Sequence, residues 1–372
     1  MEKSVNLLDV IIVNYKSTEF LIHCLRSIFE SANGTPIRVF VQDNNSKDGV
    51  DRVRTMFKQV NLKKNSCNLG FARAVNRALE QCTAPYLLIL NPDTIVLDGF
   101  FESVLQYLEE NRDVGIVGSR ILNPDGSVQG SARSFPTPLT GLFGRTSLLS
   151  RYFPNSLITR ANILTTRSDG STPVEVDWVS GACMVLRREA VVDADLMDER
   201  FFLYWEDADW CRRMREFGWK VVYFPQATVY HYVGSSSQKR IFRSAIEFHK
   251  SCYRLFDKYA KGPVRFIMPL AIGGLSIRLL LVLIRHGINR LLDQGFGGTR
   301  GKGRGIEGRK AFSGVDLLER NKSPDRRNGK DRRKLEEGPK VTEIRRGNDR
   351  RNKSDRRNGA ECKVAFKAGV RN

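Results

Sequence analysis

The chain has 372 residues, of which 41% are hydrophobic and 27% are charged. This composition excludes a collagen-like or wholly disordered chain, and the length predicts about two domains. The formal net charge is +20, but residues 296–372 alone contain 24 Lys or Arg against 11 Asp or Glu. Most of the excess positive charge therefore lies in a tail and says little about the rest of the chain.

The seven cysteines include no CxxC pair, and their odd number argues against a disulfide framework or a zinc site. Free thiols of this kind are typical of the reducing cytosol. The first residues lack the basic start, apolar stretch and small-residue cleavage site of a signal peptide. We therefore expect a cytoplasmic location.

The first 120 residues alternate short apolar runs with amphipathic stretches. The runs predict strands at 10–13, 37–41, 87–90 and 116–119, with helices at 19–29, 71–79 and 100–108. Strands that alternate with helices indicate an α/β fold, with a mostly parallel sheet flanked by helices. Such sheets bind ligands at the carboxyl ends of their strands, so we expect the functional residues directly after each strand.

Residues 124–172 are rich in Pro, Ser, Thr and Gly, and they are predicted to form a long loop on the acceptor side of a site. Beyond them, the pattern predicts strands at 174–179, 182–187 and 227–230, and helices at 206–217 and 240–259.

Residues 266–284 form an apolar run that is slightly shorter than the about 20 residues needed to span a bilayer. Arg278 interrupts the run, and basic residues flank it on both sides. A helix lying in the headgroup region of an anionic membrane fits this pattern. A membrane-spanning helix and a core helix packed on the main domain are the alternatives.

The tail repeats Asp-Arg-Arg at 325–327, 331–333, 349–351 and 355–357 and contains few large apolar residues. This composition predicts disorder. An arm that binds anionic lipid or nucleic acid is the functional alternative. No aromatic residues alternate with these arginines, so base stacking is not indicated and nucleic acid is not the expected partner.

Two loops follow the predicted pattern of functional residues at strand ends. The first begins at Asp43, whose carboxylate can accept hydrogen bonds from a base or a ribose, although a plain turn explains residues 43–49 equally well. In the second, Gly70 opens a helix whose free N–H groups favour phosphate, and Arg73 adds positive charge. A capped helix start has the same appearance.

A second pair of motifs carries acids and a histidine. Asp93 follows a buried strand and is placed to hold a divalent cation against a diphosphate. Glu206, Asp207 and Asp209 lie among aromatic residues that can raise the pKa of a carboxyl, which suits a general base. Charge at a helix start is the alternative. His231 ends a strand and can be a metal ligand or a surface residue.

Taken together, these motifs resemble glycosyltransferase family 2, which has the GT-A fold, and are most similar to its bacterial rhamnosyltransferases of cell-surface polysaccharide assembly. The resemblance covers about residues 8–260. Its matching segments are 13–15, 43–49, 68–76, 91–93, 181–182, 206–209 and 231–235.

The resemblance implies a role for each matching residue. A nucleotide-sugar donor would be bound by Asn14, Tyr15, Asp43, Asn45, Asn68, Gly70, Arg73, Asn91 and Asp93. Mg²⁺ or Mn²⁺ would be held by Asp93 and His231, with Asn91 at the first position of the family's metal motif. The catalytic base would be Asp207 beside Glu206, and the acceptor side would include Trp178, Gly181 and Asp209.

The implied activity is inverting transfer of a sugar, L-rhamnose from dTDP-rhamnose, to a glycan or to an acceptor linked to polyprenyl diphosphate. A UDP-hexose or UDP-N-acetylhexosamine donor is the alternative, and a non-catalytic scaffold with a basic tail is the alternative from another class. We expect a GT-A domain at 1–235, C-terminal helices at 236–295 and the tail at 296–372. The enzyme would sit at the inner face of the cell membrane.

Overall fold

The computed structural model describes residues 7–136, 165, 168–232 and 241–295. All of them fall within one of two units of the chain, Met1–Leu318. The basic tail and most of the loop predicted at 124–172 lie outside the described residues, so those predictions and the proposed domain boundaries stay predictions. The six cysteines among the described residues are free thiols, as predicted.

The described residues form eleven strands and eight α-helices. The strands are β1 Leu8–Asn14, β2 Ile37–Asp43, β3 Val60–Lys64, β4 Tyr86–Leu90, β5 Thr94–Val96, β6 Val114–Leu122, β7 Ala132–Arg133, β8 Val174–Glu175, β9 Trp178–Val179, β10 Cys183–Arg187 and β11 Lys220–His231. The helices are α1 Thr18–Ser31, α2 Arg52–Met56, α3 Phe71–Leu79, α4 Phe100–Glu110, α5 Arg188–Ala194, α6 Glu206–Glu216, α7 Ile241–Tyr259 and α8 Met268–Gly295.

Nine of these strands form one sheet in the order β3-β2-β1-β4-β10-β6-β11-β5, with β8 paired to β11. Strands β1, β2, β3, β4, β6 and β11 point one way, and β5, β8 and β10 run against them. The predicted α/β class with a mostly parallel sheet is therefore confirmed. The pattern of apolar residues did not predict the antiparallel direction of β10, or β7 within the stretch predicted as loop.

The two faces of the sheet bury alternate residues of the same strand. Val10 and Ile12 of β1 enter a core shared with α1 and α4, whereas Ile11 and Val13 enter a second core shared with α3 and α6. Side chains alternate between the faces of a strand, so a continuous apolar run can fill both cores. Each such buried side chain contributes about 2 kcal/mol.

A buried acid ties the beginning of the sheet together. Asp9 of β1 is fully buried, and Arg38 of β2 donates two hydrogen bonds to its carboxylate at 2.8 and 2.7 Å. The backbone N–H groups of Thr83 and Ala84 donate to the same carboxylate at 2.7 and 2.9 Å. A buried charge is tolerated only with such partners, so Asp9 couples β1, β2 and the turn before β4.

Helix α7 is held on α6 by a second buried acid, Asp209. Its Oδ1 lies 2.6 Å from the ammonium group of Lys258 and accepts a hydrogen bond from the hydroxyl of Tyr259 at 2.8 Å. Arg213 of α6 donates to Oδ2 at 3.0 Å. Helix α8 then packs on α7 through Met268 and Leu275, among other contacts.

Helix α3 begins in direct contact with the segment that leads into α6. The N–H of Phe71 donates to the carbonyl of Phe202 at 2.8 Å, and Asn76 contacts Met197 through two hydrogen bonds of 2.9 and 3.0 Å. Gly70 has a φ of +86° and lies against the same carbonyl, so a side chain has no room there.

We expect Gly70→Ala to lower the free energy of unfolding by about 3 kcal/mol. An added Cβ would lie 2.5 Å from the carbonyl oxygen of Phe202, at a φ that L-residues rarely adopt. Gly34 has a φ of +81° with open space around an added Cβ. Gly34→Ala therefore measures backbone strain alone, about 1 kcal/mol. Urea denaturation of both variants gives the comparison, and equal losses would contradict the predicted steric contact.

Candidate active site

The predicted donor and metal residues gather at one edge of the sheet. Asn14 ends β1, Asp43 ends β2, Asn91 follows β4 and His231 ends β11. These four strands point the same way, so their carboxyl ends lie at the same edge. The residues predicted to be functional are therefore neighbours at this edge, and their roles stay predictions.

Asp43 anchors the loop that follows β2. It is 1% exposed, and its Oδ1 accepts hydrogen bonds from the amide of Asn14 at 2.8 Å and from the hydroxyl of Ser46. The backbone N–H of Ser46 donates to Oδ2 at 3.1 Å. The carboxylate therefore has protein partners on both oxygens, and its role toward a nucleotide stays a prediction.

The rest of this loop is held by its neighbours. Asn45 adopts a φ of +59° and donates to the carbonyl of Ser66 at 3.0 Å. Asp48 accepts hydrogen bonds from the N–H and hydroxyl of Thr18 at the start of α1. Tyr15 directly follows β1 and is half-buried, and its role toward a nucleotide stays a prediction.

At the start of α3, two of the N–H groups predicted to favour phosphate already donate to protein acceptors. The N–H of Gly70 donates to the side chain of Asn68 at 3.0 Å, and that of Phe71 donates to Phe202. Arg73 is half exposed and lies 3.5 Å from the carboxylate of Glu199. This segment therefore docks on residues 197–202, and its contact with a donor stays a prediction.

Asp93 and His231 form a close pair. The Oδ1 atom of Asp93 lies 3.2 Å from Nε2 of His231, and both side chains are largely buried. The amide nitrogen of Asn91 lies 3.3 Å from the same Nε2. The pair forms because β5 and β11 are antiparallel neighbours, with Thr94 opposite His231.

This donor set fits a divalent cation. A carboxylate oxygen and an imidazole nitrogen face each other here, and Mg²⁺ or Mn²⁺ would take its remaining ligands from phosphate oxygens or water. The described residues contain no group of three or more His, Cys, Asp or Glu side chains placed so that they could hold a metal ion. A cation here would therefore be held jointly by the protein and a diphosphate.

Gln129 also contacts His231, with its Oε1 3.2 Å from Nδ1 of the ring. Sequence reasoning missed this residue, because it lies within the stretch predicted as a loop and has no recognisable pattern around it. The pairing of β6 with β11 brings it to the site.

Asp207 lies at the start of α6, half-buried. Its Oδ2 accepts the N–H of Gly181 at 2.9 Å, and its Oδ1 accepts the N–H of Ala208 at 2.8 Å. Burial raises the pKa of Asp207, whereas these hydrogen bonds and the charge of Arg133 act in the opposite direction. The carboxylate is thus oriented and made more basic than an exposed aspartate.

Residues 181–182 join the two groups of side chains. Gly181 donates to Asp207, and the carbonyl of Ala182 accepts the N–H of Asn91 at 2.9 Å. An added Cβ at Gly181 would meet the Cβ of Asp207 at 3.4 Å, so a glycine permits the close approach. Residues 181–182 are therefore hydrogen-bonded to the predicted base on one side and to the predicted metal motif on the other.

The backbone is strained at the two residues that precede helix α6, which carries Asp207. Tyr204 and Trp205 have φ values of +69° and +70°, which large side chains rarely adopt. Ring contacts with Phe248 of α7, at 5.7 and 5.4 Å between centroids, accompany this conformation. Strain of this kind concentrates at functional sites.

Glu206 lies next to the base but is more deeply buried. It is 6% exposed, and its Oε2 has no hydrogen-bond partner among the described residues. Burial and the charge of Asp207 raise the pKa of Glu206 well above its ordinary value. Glu206 therefore keeps its proton to a higher pH than an exposed glutamate does.

The predicted acceptor residues occupy different positions. The ring of Trp178 lies 5.9 Å from that of Trp205 and is tilted against it by 46°. Arg133, which sequence reasoning missed, lies 5.6 Å from the ring of Trp178, opposite it in the β7–β9 ribbon. Asp209, by contrast, is fully buried and binds α7, so its carboxylate faces Lys258, Arg213 and Tyr259.

Comparison with known proteins identifies a family for this chain. The model of glycosyl transferase family 2 matches residues 9–193. An N-acetylglucosaminyl-diphospho-decaprenol L-rhamnosyltransferase of Mycobacterium tuberculosis is 30% identical over 303 residues, which cover 77% of this chain and 95% of that protein. The rhamnosyltransferase WbbL of Escherichia coli is 25% identical over 171 residues, 45% of this chain and 60% of that protein.

Among solved structures, the mannosyltransferase PcManGT of Pyrobaculum calidifontis, in complex with GDP-Man and Mn²⁺, is 16% identical with a TM-score of 0.47. That alignment covers 79% of this chain and 81% of the mannosyltransferase. The family match and the similarity along 95% of the mycobacterial enzyme show that this chain belongs to glycosyl transferase family 2.

Proposed function

We propose that this glycosyltransferase moves L-rhamnose from dTDP-rhamnose to a hydroxyl of a lipid-linked glycan, with inversion at the anomeric carbon. The observation that supports it most is the dipeptide 181–182, which contacts the oriented carboxylate of Asp207 on one side and the Asn91–Asp93 motif on the other. A base and a diphosphate site on either side of one short segment suit a single displacement.

The proposed reaction begins with the acceptor hydroxyl. Asp207, held by Gly181 and Ala208, has lone pairs left on both oxygens and takes the proton of the hydroxyl as its oxygen attacks. The bond between the anomeric carbon and the diphosphate breaks on the opposite face, and the nucleoside diphosphate leaves with its electron pair. The donor residues at the sheet edge hold the leaving group throughout.

We propose that Asp93 and His231, with Asn91 beside them, would hold Mg²⁺ or Mn²⁺ at the diphosphate. The cation, when bound, would offset the negative charge that develops on the leaving group. Asp93 supplies a single carboxylate, so the affinity of the site would depend on the phosphate oxygens of the donor.

The choice of donor rests on the relatives. Two of the proteins similar to this chain are named rhamnosyltransferases, and one of them is named for an acceptor on decaprenyl diphosphate. A UDP-hexose or UDP-N-acetylhexosamine would use the same fold and the same base, so measured binding of these donors decides between them.

We propose that helix α8 brings the enzyme to an anionic membrane, where a lipid-linked acceptor resides. By length and composition, Met268–Arg285 could cross a bilayer. One side of α8 packs on α7, and its opposite side exposes a stripe of large apolar residues. Exposed cations flank the stripe. A helix lying in the interface fits this pattern. The stripe contains Leu270, Ile277, Leu280, Leu281 and Ile284.

We expect Asp207→Asn to lower the rate of transfer by about 10³-fold, because an amide cannot accept the proton of the hydroxyl. The affinity for the donor should change little. Rapid-quench turnover and calorimetric donor binding give the two numbers. Asp113→Asn, at an exposed acid paired with Lys220, is the matched control.

The pH profile gives an independent check of the same base. Activity should fall as the pH drops through the pKa of Asp207, which burial places above that of an exposed aspartate. An Asp207→Asn enzyme that kept more than a tenth of wild-type turnover would rule out Asp207 as the base.

We expect Asp93→Asn to weaken Mn²⁺-dependent binding of dTDP by about 10-fold or more, because the carboxylate is the charged ligand of the pair. Binding in the presence of EDTA should be unchanged. Asp98→Asn, at an exposed acid five residues further along, is the control. Equal Mn²⁺ dependence in wild type and Asp93→Asn would remove Asp93 from the metal site.

We expect Leu270→Glu combined with Leu281→Glu to reduce binding to phosphatidylglycerol vesicles by at least about 10-fold, because burial of each leucine contributes about 2 kcal/mol. Val192→Glu, at an equally exposed residue of α5, should bind like wild type. Vesicle flotation measures both. Unchanged binding of the double variant would show that α8 does not face the lipid.

A further inference from the structure

Gln129 lies beside the Asp93–His231 pair because it follows strand β6. The chain turns after β6, and Leu122 and Val128 form a β-bridge across the turn. The N–H of Gln129 donates to the carbonyl of Ile121 at 2.8 Å, and the residue is 5% exposed. Its side chain therefore has a defined place beside the end of β11.

The orientation of the Gln129 amide follows from its partners. Its Nε2 donates to the backbone carbonyl of His231 at 3.0 Å and to the side-chain oxygen of Asn123 at 2.9 Å. A backbone carbonyl can only accept, so the nitrogen of the amide must face it. The oxygen of the same amide then faces Nδ1 of His231, at 3.2 Å.

This orientation assigns the tautomer of the histidine. An amide oxygen can only accept, so Nδ1 of His231 carries the hydrogen, an assignment made from the hydrogen-bond network. The neutral ring then has its lone pair on Nε2. That atom is the one that lies 3.2 Å from Asp93 and 3.3 Å from the amide nitrogen of Asn91.

Asp93 on its own favours the opposite tautomer. A carboxylate 3.2 Å from Nε2 stabilises a hydrogen on that nitrogen, which would close the pair with an internal hydrogen bond and remove the metal-binding lone pair. Gln129 opposes this by accepting from the other nitrogen, and the amide nitrogen of Asn91 acts in the same direction because it can only donate to Nε2. Histidine ligands in metal sites are commonly oriented through their second nitrogen in this way.

We propose that Gln129 is a positioning residue that holds His231 in the Nδ1–H tautomer and so keeps Nε2 open as a ligand for the divalent cation. The inference rests on the metal site of the proposed function. It adds a residue that does not itself touch the cation or the donor.

The first test is the tautomer itself, measured without metal by long-range ¹H–¹⁵N NMR of the full-length protein. The chain has four histidines, and the signal lost in His231→Gln identifies the relevant ring. Wild type should show a protonated Nδ1 and an unprotonated Nε2. A hydrogen on Nε2 in wild type would overturn the proposal without any variant of Gln129.

The second test replaces the amide. Gln129→Met keeps the size of the side chain but cannot accept from Nδ1, so the hydrogen should move to Nε2 and Mn²⁺ should bind about 10- to 100-fold more weakly. Gln106→Met, at an exposed glutamine of α4, is the matched control.

Titration of Mn²⁺ in the presence of dTDP, followed by electron paramagnetic resonance, separates the two proposals. If wild type binds no Mn²⁺, the metal site of the proposed function fails, and this inference fails with it. If wild type binds Mn²⁺ and Gln129→Met binds it equally well, the metal site stands and the role of Gln129 alone is overturned.

Discussion

The arrangement of the site depends on the contact between the start of α3 and the segment before α6. Phe71 donates to the carbonyl of Phe202, and Asn76 makes two hydrogen bonds with the backbone of Met197. Gly70 has no side chain, so α3 can lie directly against Phe202. The first contact joins backbone to backbone, and the amide of Asn76 both donates to and accepts from the backbone of Met197, so little freedom of position is left. The loop predicted to bind the donor and the segment that leads to Asp207 are therefore held together at this junction.

The buried acids of this protein differ in the hydrogen-bond and ion-pair partners of their carboxyl groups. Asp9 and Asp209 each face an arginine or lysine together with further donors, and these contacts hold neighbouring elements together. Asp207 has two N–H donors and a more distant arginine, whereas Glu206 has no partner for Oε2 among the described residues. The two acids predicted to be catalytic are thus the ones that burial has left without a close counter-charge.

Much of the site could be predicted because it follows strand ends. Apolar runs such as Val10 to Val13 and Leu87 to Leu90 mark buried strands, and the residues after parallel strands share an edge. Asn14, Asp43, Asn91 and His231 were placed together in this way. Gln129 and Arg133 were not, since they reach the site through pairing between β6 and β11 and between β7 and β9, which no local pattern records.

The sequence by itself determined the fold class, the strand ends that carry polar residues and the membership in a family, because periodicity and local motifs are properties of neighbouring residues. Only the tertiary structure decided which partners each acid contacts. Asp207 and Asp209 are two positions apart on one helix, yet one faces Gly181 and the other faces Lys258. A helix turns about 100° per residue, so such neighbours point to different partners, and those partners come from distant parts of the chain.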